Sequence, residues 1–175
     1  MLIKIFKNKG KGSAKASIDY LLDKDRNREL ATVLKGNPEL SLELAQSLAF
    51  SNKYTVGCLS FEEADLPKKS KLELMEKFEE MVFAGLTSEQ FNISWIEHRD
   101  KGRLELNFFI PNVELTTGKR YQPYFHRNDK HLFDSWMQLQ NYQYQLSDPH
   151  DPTKRQLCKF EFSTDMQQSK IKENL

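Results

Sequence analysis

A chain of 175 residues suits one domain with a real core, and 38% hydrophobic with 29% charged residues is the make-up of an ordinary soluble globular protein. No run approaches the roughly 18 apolar residues of a membrane span. The opening Met1-Leu2-Ile3-Lys4-Ile5-Phe6 is too short for a signal peptide, so the chain is expected in the cytoplasm and not in a membrane. The two cysteines, Cys58 and Cys158, lie far apart without metal-type spacing and read as reduced thiols. A net charge of +1 conceals separated poles. Lys4, Lys7, Lys9, Lys11 and Lys15 open the chain without an acid; Arg99, Lys101, Arg103, Lys119, Arg120, Arg127 and Lys130 cluster later; acids collect from Glu62 to Glu80. Such a distribution can hold a polyanion at near-neutral overall charge.

Leu2 to Phe6 reads as a first strand, and Asn8-Lys9-Gly10-Lys11-Gly12 as a basic loop whose glycines permit close backbone approach to a phosphate. The same residues also suit a plain solvated loop. Ser13 or Ser17 can cap a helix to about Leu22, with Ile18, Leu21 and Leu22 as its buried stripe. Tyr20 falls about 200° from Ile18 and so off the apolar face, presenting its hydroxyl. Asp23 to Leu34 reads as charged and irregular. Asn37-Pro38 opens a second helix with Leu40, Leu44, Ala45 and Leu48 as its stripe.

Tyr54 to Phe61 reads as an interior strand, followed by an acidic turn to Pro67. Lys69 to Leu86 is a helix with Leu72, Met75, Phe78 or Glu79, and Val82 at helical spacing, and Gly85 suits its end. Phe91 to His98 and Leu104 to Ile110 are two β-runs around Arg99-Asp100-Lys101-Gly102, stopped at Pro111. Val113 to Leu115 extends briefly into a Thr116–Lys119 turn. Arg120-Tyr121-Gln122-Pro123-Tyr124-Phe125-His126-Arg127 interleaves rings with cations, which suits single-stranded DNA or an aromatic loop on the core. Asp129 is expected to cap a helix to about Leu146, with Leu132, Phe133, Trp136 and Leu139 inward. Arg155 to Phe162 is a candidate edge strand, and Ser163 to Leu175 a polar, mobile tail. His126 and His131 are weak candidates for ligands or proton relays.

The second β-run is informative for what interrupts it. Leu104, Leu106 and Phe108 share one face, Glu105 and Asn107 the other. A Glu and an Asn inside an apolar strand are costly to bury unless paired. With a six-residue connection, His98 lies opposite Glu105 and diagonal to Asn107, close enough for three side chains to meet at one ion. An odd connection would turn His98 to the other face.

His98, six residues, then Glu105-Leu106-Asn107 resembles the metal-binding signature of plasmid mobilisation relaxases, in the His-Glu-Asn variant of the HUH endonuclease superfamily found on small colicin-type plasmids. The resemblance covers WIEHRDKGRLELNFFIPNVELTTGKR, SIDYLLDKDR, KYTVGCLSF with EEADLP, and RYQPYFHRND, from about Met1 to Pro152. It implies a nicking domain over residues 1–152, with 153–175 a C-terminal extension of what in the family is often a longer protein. It implies an α+β fold: a central antiparallel sheet with helices packed on it, matching the order of elements. It implies Tyr20 as nucleophile and a divalent ion, Mg2+ or Mn2+, on His98, Glu105 and Asn107; two oxygen ligands favour such hard cations. The expected partner is plasmid DNA at the origin of transfer, hairpin and single strand, with Lys7, Lys9, Lys11, Arg103, Arg120 and Arg127 on phosphates. Accessory mobilisation proteins and a type IV secretion coupling protein complete the implied partners, with a monomer on DNA. Two alternatives remain open at this level: a rolling-circle replication initiator, and a non-catalytic nucleic-acid-binding module.

Overall fold

A computed structural model describes residues 1–6, 13–99, 102–149, 151 and 153. The strands are β1 (Leu2–Ile5), β2 (Ala31–Lys35), β3 (Tyr54–Ser60), β4 (Ser94–His98) and β5 (Glu105–Pro111). They form one antiparallel sheet in the order β1-β3-β5-β4-β2. The helices are α1 (Ala14–Leu22), α2 (Pro38–Ser47), α3 (Lys68–Val82) and α4 (His126–Gln143). The expected α+β class holds. β3, β4 and β5 are buried throughout, because helices cover both faces of the sheet. On one face Ile18, Leu21 and Leu22 of α1 and Leu42 and Ala45 of α2 pack on Tyr54, Val56, Ile96 and Phe109. On the other, Leu74, Met75 and Phe78 of α3 and Phe133 and Met137 of α4 pack on Leu59, Trp95, Leu106 and Phe108.

Local chemistry sets the ends of these elements. Ser13 caps α1 through a hydrogen bond from Ala16 N to its Oγ, and Asn37 caps α2, accepting from Glu39 N and Leu40 N, with Pro38 in the first turn. Asp129 does not cap α4. The helix begins three residues earlier, and Asp129 Oδ2 reaches back to accept from Phe125 N at 2.6 Å. The segment read as irregular contains β2, an edge strand paired with β4. Its short, mixed run Ala31-Thr32-Val33-Leu34-Lys35 is largely exposed, so it carries little apolar periodicity.

The helix faces also differ from the spacing argument. Leu40, Leu72, Leu132 and Leu139 point outward. In α2 the inward position belongs to Ser41, whose Oγ meets Ser94 Oγ at 2.7 Å and Asn92 Oδ1 at 2.5 Å. In α3 Lys71 turns inward to buried Glu97, while Glu79, on the expected stripe, meets buried Trp95. In α4 the inward position belongs to Met137, Gln140 and Asn141. Ser41, Lys71 and Asn141, which find partners inside, turn these helices away from the purely apolar stripe.

The Thr116–Lys119 turn forms as expected. Glu114 Oε1 and Oε2 accept from the amides of Thr116 and Thr117. With the Thr117 hydroxyl first among the causes, these bonds lower the Glu114 carboxyl from its usual 4.5 to about 2. Gly57 in β3 allows a close approach: a Cβ there would sit 2.4 Å from Lys4 O and 2.6 Å from the Phe108 ring. Gly57→Ala is expected to destabilise the protein by about 1–3 kcal/mol through this overpacking. Chemical denaturation will measure it; an unchanged midpoint would mean that β1 moves aside at no cost.

Candidate functional site

β4 and β5 pair in the register that sets His98 against Glu105 and Ile96 against Asn107. Directly opposed residues share a face, so His98, Glu105 and Asn107 lie together on the face covered by α1 and α2. All three are buried. The row through the site reads Leu2, Ser60, Glu105, His98, Ala31 across the sheet, and the next reads Lys4, Cys58, Asn107, Ile96, Val33. The six-residue connection therefore does what the sequence geometry required. Part of that turn, Asp100 and Lys101, lies outside the described residues.

Each of the three has a defined setting. The His98 Nε2–H donates to the Leu21 carbonyl at 2.7 Å. A carbonyl only accepts, so the proton of a neutral ring sits on Nε2 and the lone pair on Nδ1. A backbone carbonyl on one ring nitrogen is the usual way to orient a ligating histidine. Glu105 Oε1 accepts from Arg103 Nη2 at 3.0 Å. Asn107 Nδ2 donates to the Ile96 carbonyl at 3.4 Å, a long bond that turns the amide nitrogen toward β4. The set supplies one imidazole nitrogen, one carboxylate and one amide oxygen on adjacent strands. These residues fit a hard divalent cation by donor type and by placement. Among the described residues no group of three or more His, Cys, Asp and Glu side chains gathers as a metal site; the third member here is an asparagine.

Tyr20 is on α1, one residue before the Leu21 carbonyl that touches His98. Its side chain is 57% exposed, as its position off the apolar stripe predicts. It lines a cleft of about 300 Å³ with Phe6, Ser13, Ala16, Ser17, Tyr54 and Val56. Tyr54 stacks on Phe109 at 5.0 Å, and the Ser17 hydroxyl donates to the Tyr54 hydroxyl at 3.1 Å. Val56 and Cys58 are same-face neighbours on β3, and Cys58 pairs with Asn107. The cleft thus opens beside the polar row, about 7 Å along the strand from it.

Arg28 was missed by the sequence reading. Its guanidinium lies 5.3 Å over the Tyr20 ring, and Nη1 donates to the Tyr20 carbonyl. The only signal was a basic residue in a charged stretch just past the helix. Lys4 was noted only as part of the basic start, yet the pairing of β1 puts it in the same row as Asn107.

The remaining candidates divide. Arg103 is at the site, against Glu105. Lys7, Lys9 and Lys11 lie outside the described residues. Arg120 and Arg127 are exposed but not gathered with the trio: Arg120 follows the β5 end opposite to Glu105, donating to Gln122 Oε1, and Arg127 is in the first turn of α4. The rings between them pack inward on the α3–α4 side. Tyr121 donates to the Val82 carbonyl and Tyr124 packs on Phe133 at 4.8 Å, while Phe125 stays exposed. His126 Nδ1 is 2.8 Å from the Tyr124 hydroxyl.

Behind the site, on the opposite face of β4, Glu97 is held by Lys71 Nζ at 2.5 Å and Arg99 Nε at 3.0 Å. Both cations also reach Asp65. Burial alone would lower the Lys71 pKa; the bonds to Asp65 and Glu97 outweigh it and raise the value. Trp95 Nε1 and Lys35 Nζ converge on Glu79.

No family model matches the chain. It is 53% identical over 156 residues to "Cryptic plasmid protein C" of Neisseria gonorrhoeae, spanning 89% of this chain and 76% of that protein. It is 50% identical over 155 residues to "DNA relaxase MbeA" of Escherichia coli, spanning 89% of this chain and 30% of that protein. The chain belongs to the family of cryptic plasmid protein C and is similar to part of a protein named as a DNA relaxase. It corresponds to less than a third of the length of MbeA, so the activity of that whole protein does not pass to it directly. No helix among the described residues is long and apolar enough to cross a membrane.

Lys71→Met is expected to cost up to about 3 kcal/mol, because it leaves buried Glu97, on the strand that bears His98, with only the half-exposed Arg99 as counter-charge. In wild type this contribution is full below the ordinary lysine value of 10.5 and fades as pH rises through the raised value. Denaturation of wild type and variant between neutral and strongly alkaline pH tests both statements, and the variant should lose less stability than wild type at alkaline pH.

Proposed function

We propose that the protein is a relaxase of the His-Glu-Asn type that nicks one strand of plasmid DNA at an origin of transfer. One observation carries the reading: His98 stands opposite Glu105 and diagonal to Asn107 on a buried face, with the tyrosine-bearing helix docked on His98 through the Leu21 carbonyl. The 50% identity to a protein named as a DNA relaxase supports it.

The Tyr20 oxygen attacks the scissile phosphorus. The bond from phosphorus to the 3′-oxygen breaks, and a 5′-phosphotyrosyl diester forms. The phenolic proton is passed on, and the 3′-oxygen leaves as a hydroxyl. One phosphodiester replaces another, so resealing needs no external energy. A divalent cation held by His98, Glu105 and Asn107 would polarise the scissile phosphate and stabilise its developing charge. Arg28, over the Tyr20 ring, restricts the phenol to the cleft side of α1. The apolar floor of that cleft, Tyr54 on Phe109, suits a base unstacked beside the reacting phosphate. Arg103 and the lysines at 7, 9 and 11 serve the backbone phosphates, with Arg120 and Arg127 on more distant strand. Accessory mobilisation proteins and a secretion coupling protein are the partners such a reaction requires for transfer.

The test is incubation of the chain with supercoiled plasmid carrying its origin, with Mn2+, followed by denaturing gels and peptide mapping. A covalent adduct at Tyr20 is expected. Tyr20→Phe should remove it while oligonucleotide binding stays within a few-fold, and excess chelator should stop nicking. An adduct that persists in Tyr20→Phe, or nicking that ignores the chelator, rejects the mechanism.

A further inference from the structure

We infer that Arg103 is an internal counter-cation that competes with the divalent ion for Glu105, so that metal capture is coupled to phosphate binding. The inference rests on the metal reading of His98, Glu105 and Asn107 and deepens it.

Arg103 lies in the bend two residues before Glu105, the first residue of β5, and its guanidinium turns back onto that carboxylate. The carboxylate is buried, with its side chain 10% exposed, and the arginine side chain is 42% exposed. The contact is single: Nη2 meets Oε1 at 3.0 Å. The Arg103 Nε–H is buried and has no hydrogen-bond partner. The strong mode of arginine with an oxyanion uses two parallel N–H bonds, as a fork. Here one tine is engaged and the other idles inside the protein, at the cost of an unmet buried donor. A phosphate diester offers two oxygens and would satisfy both.

Glu105 is the one formal negative charge in the candidate ligand set. While the guanidinium neutralises it, a dication arriving at the same carboxylate meets a positive charge a few ångströms away. When Arg103 turns outward to a backbone phosphate, Glu105 regains its full charge for the metal. The half-exposed side chain permits that turn without opening the core. The consequence is reciprocal: DNA tightens metal and metal tightens DNA by the same factor. A site with one carboxylate would then fill when substrate is present and stay weakly filled otherwise.

The experiment is Mn2+ binding to the full chain by calorimetry, with and without a mixed-sequence single-stranded oligonucleotide, the Glu105→Ala protein serving as the blank. Wild type should show weak Glu105-dependent binding that tightens about tenfold with oligonucleotide. Arg103→Gln should bind Mn2+ about tenfold tighter than wild type without DNA, and gain little more when DNA is added. Arg103→Lys, which keeps the charge but not the fork, should bind Mn2+ near wild type without DNA and tighten less than wild type with DNA. If Arg103→Gln binds Mn2+ no tighter than wild type, or more weakly, Arg103 orients Glu105 and the competition is refuted while the metal site stands. If wild type shows no Glu105-dependent Mn2+ binding with or without DNA, the metal reading itself fails and the coupling with it.

Discussion

A slip of one residue between β4 and β5 would turn His98 toward α3 and leave Glu105 and Asn107 facing α1 without it, so the pairing of His98 with Glu105 is the constraint on which the site depends. What fixes it is burial on both faces. Trp95 must reach Glu79 and Phe78, and Glu97 must reach Lys71, on the α3 side. Ile96 must reach Phe109 and the α1 residues on the other. A shifted strand would lose the Lys71–Glu97 pair and bury a carboxylate among Ile18, Leu21 and Leu42. Partnered charge on one face thereby guarantees the placement of donor atoms on the other.

The two faces use polar groups differently. On the α3 side Glu97, Lys71, Arg99 and Asp65 neutralise one another, and Glu79 takes donors from Trp95 and Lys35. Those groups are structural because their bonding capacity is largely used within the protein. On the α1 side the set is acceptor-rich, and its carboxylate is balanced through a single bond to a half-exposed arginine. An arrangement that stabilised only the fold would have closed that fork or replaced the trio with apolar side chains.

The shared face of His98, Glu105 and Asn107 was more legible than the faces of the helices around it. Strand alternation has a period of two, and six intervening residues decide the face of His98 without knowledge of the rest of the chain. The exposure of Tyr20 was legible for the same kind of reason, through its angle from Ile18. Helix faces were less secure, because an apolar residue on the rim of a stripe loses to a polar one with a partner. Leu40 gave way to Ser41, which finds Ser94, and Leu72 to Lys71, which finds Glu97. Such partners lie fifty-three and twenty-six residues away in the chain, beyond any local pattern. β2 escaped for a related reason: an edge strand with three exposed residues takes its identity from β4, not from its own sequence. The rings of the Arg120–Arg127 stretch suggested DNA stacking, but Tyr121 spends its hydroxyl on the Val82 carbonyl and packs beside Phe83.

The link between Tyr20 and the trio runs through the segment least like regular structure. Asp23, Arg26 and Leu30 all have positive φ, at 69°, 58° and 57°, which is uphill for residues with a Cβ. Arg26 offsets this with ion pairs to Asp19 and Glu39 that tie α1 to α2. Arg28 N returns to the Leu22 carbonyl and its guanidinium covers Tyr20. Leu30 then accepts from Arg99 N, next to His98. The end of α1 is therefore anchored twice to the end of β4, directly through Leu21 and around the loop through Leu30. With two anchors on one strand end, α1 cannot slide along the sheet without breaking both, and the distance from the tyrosine to the donor row is set by the fold and not left to a mobile helix.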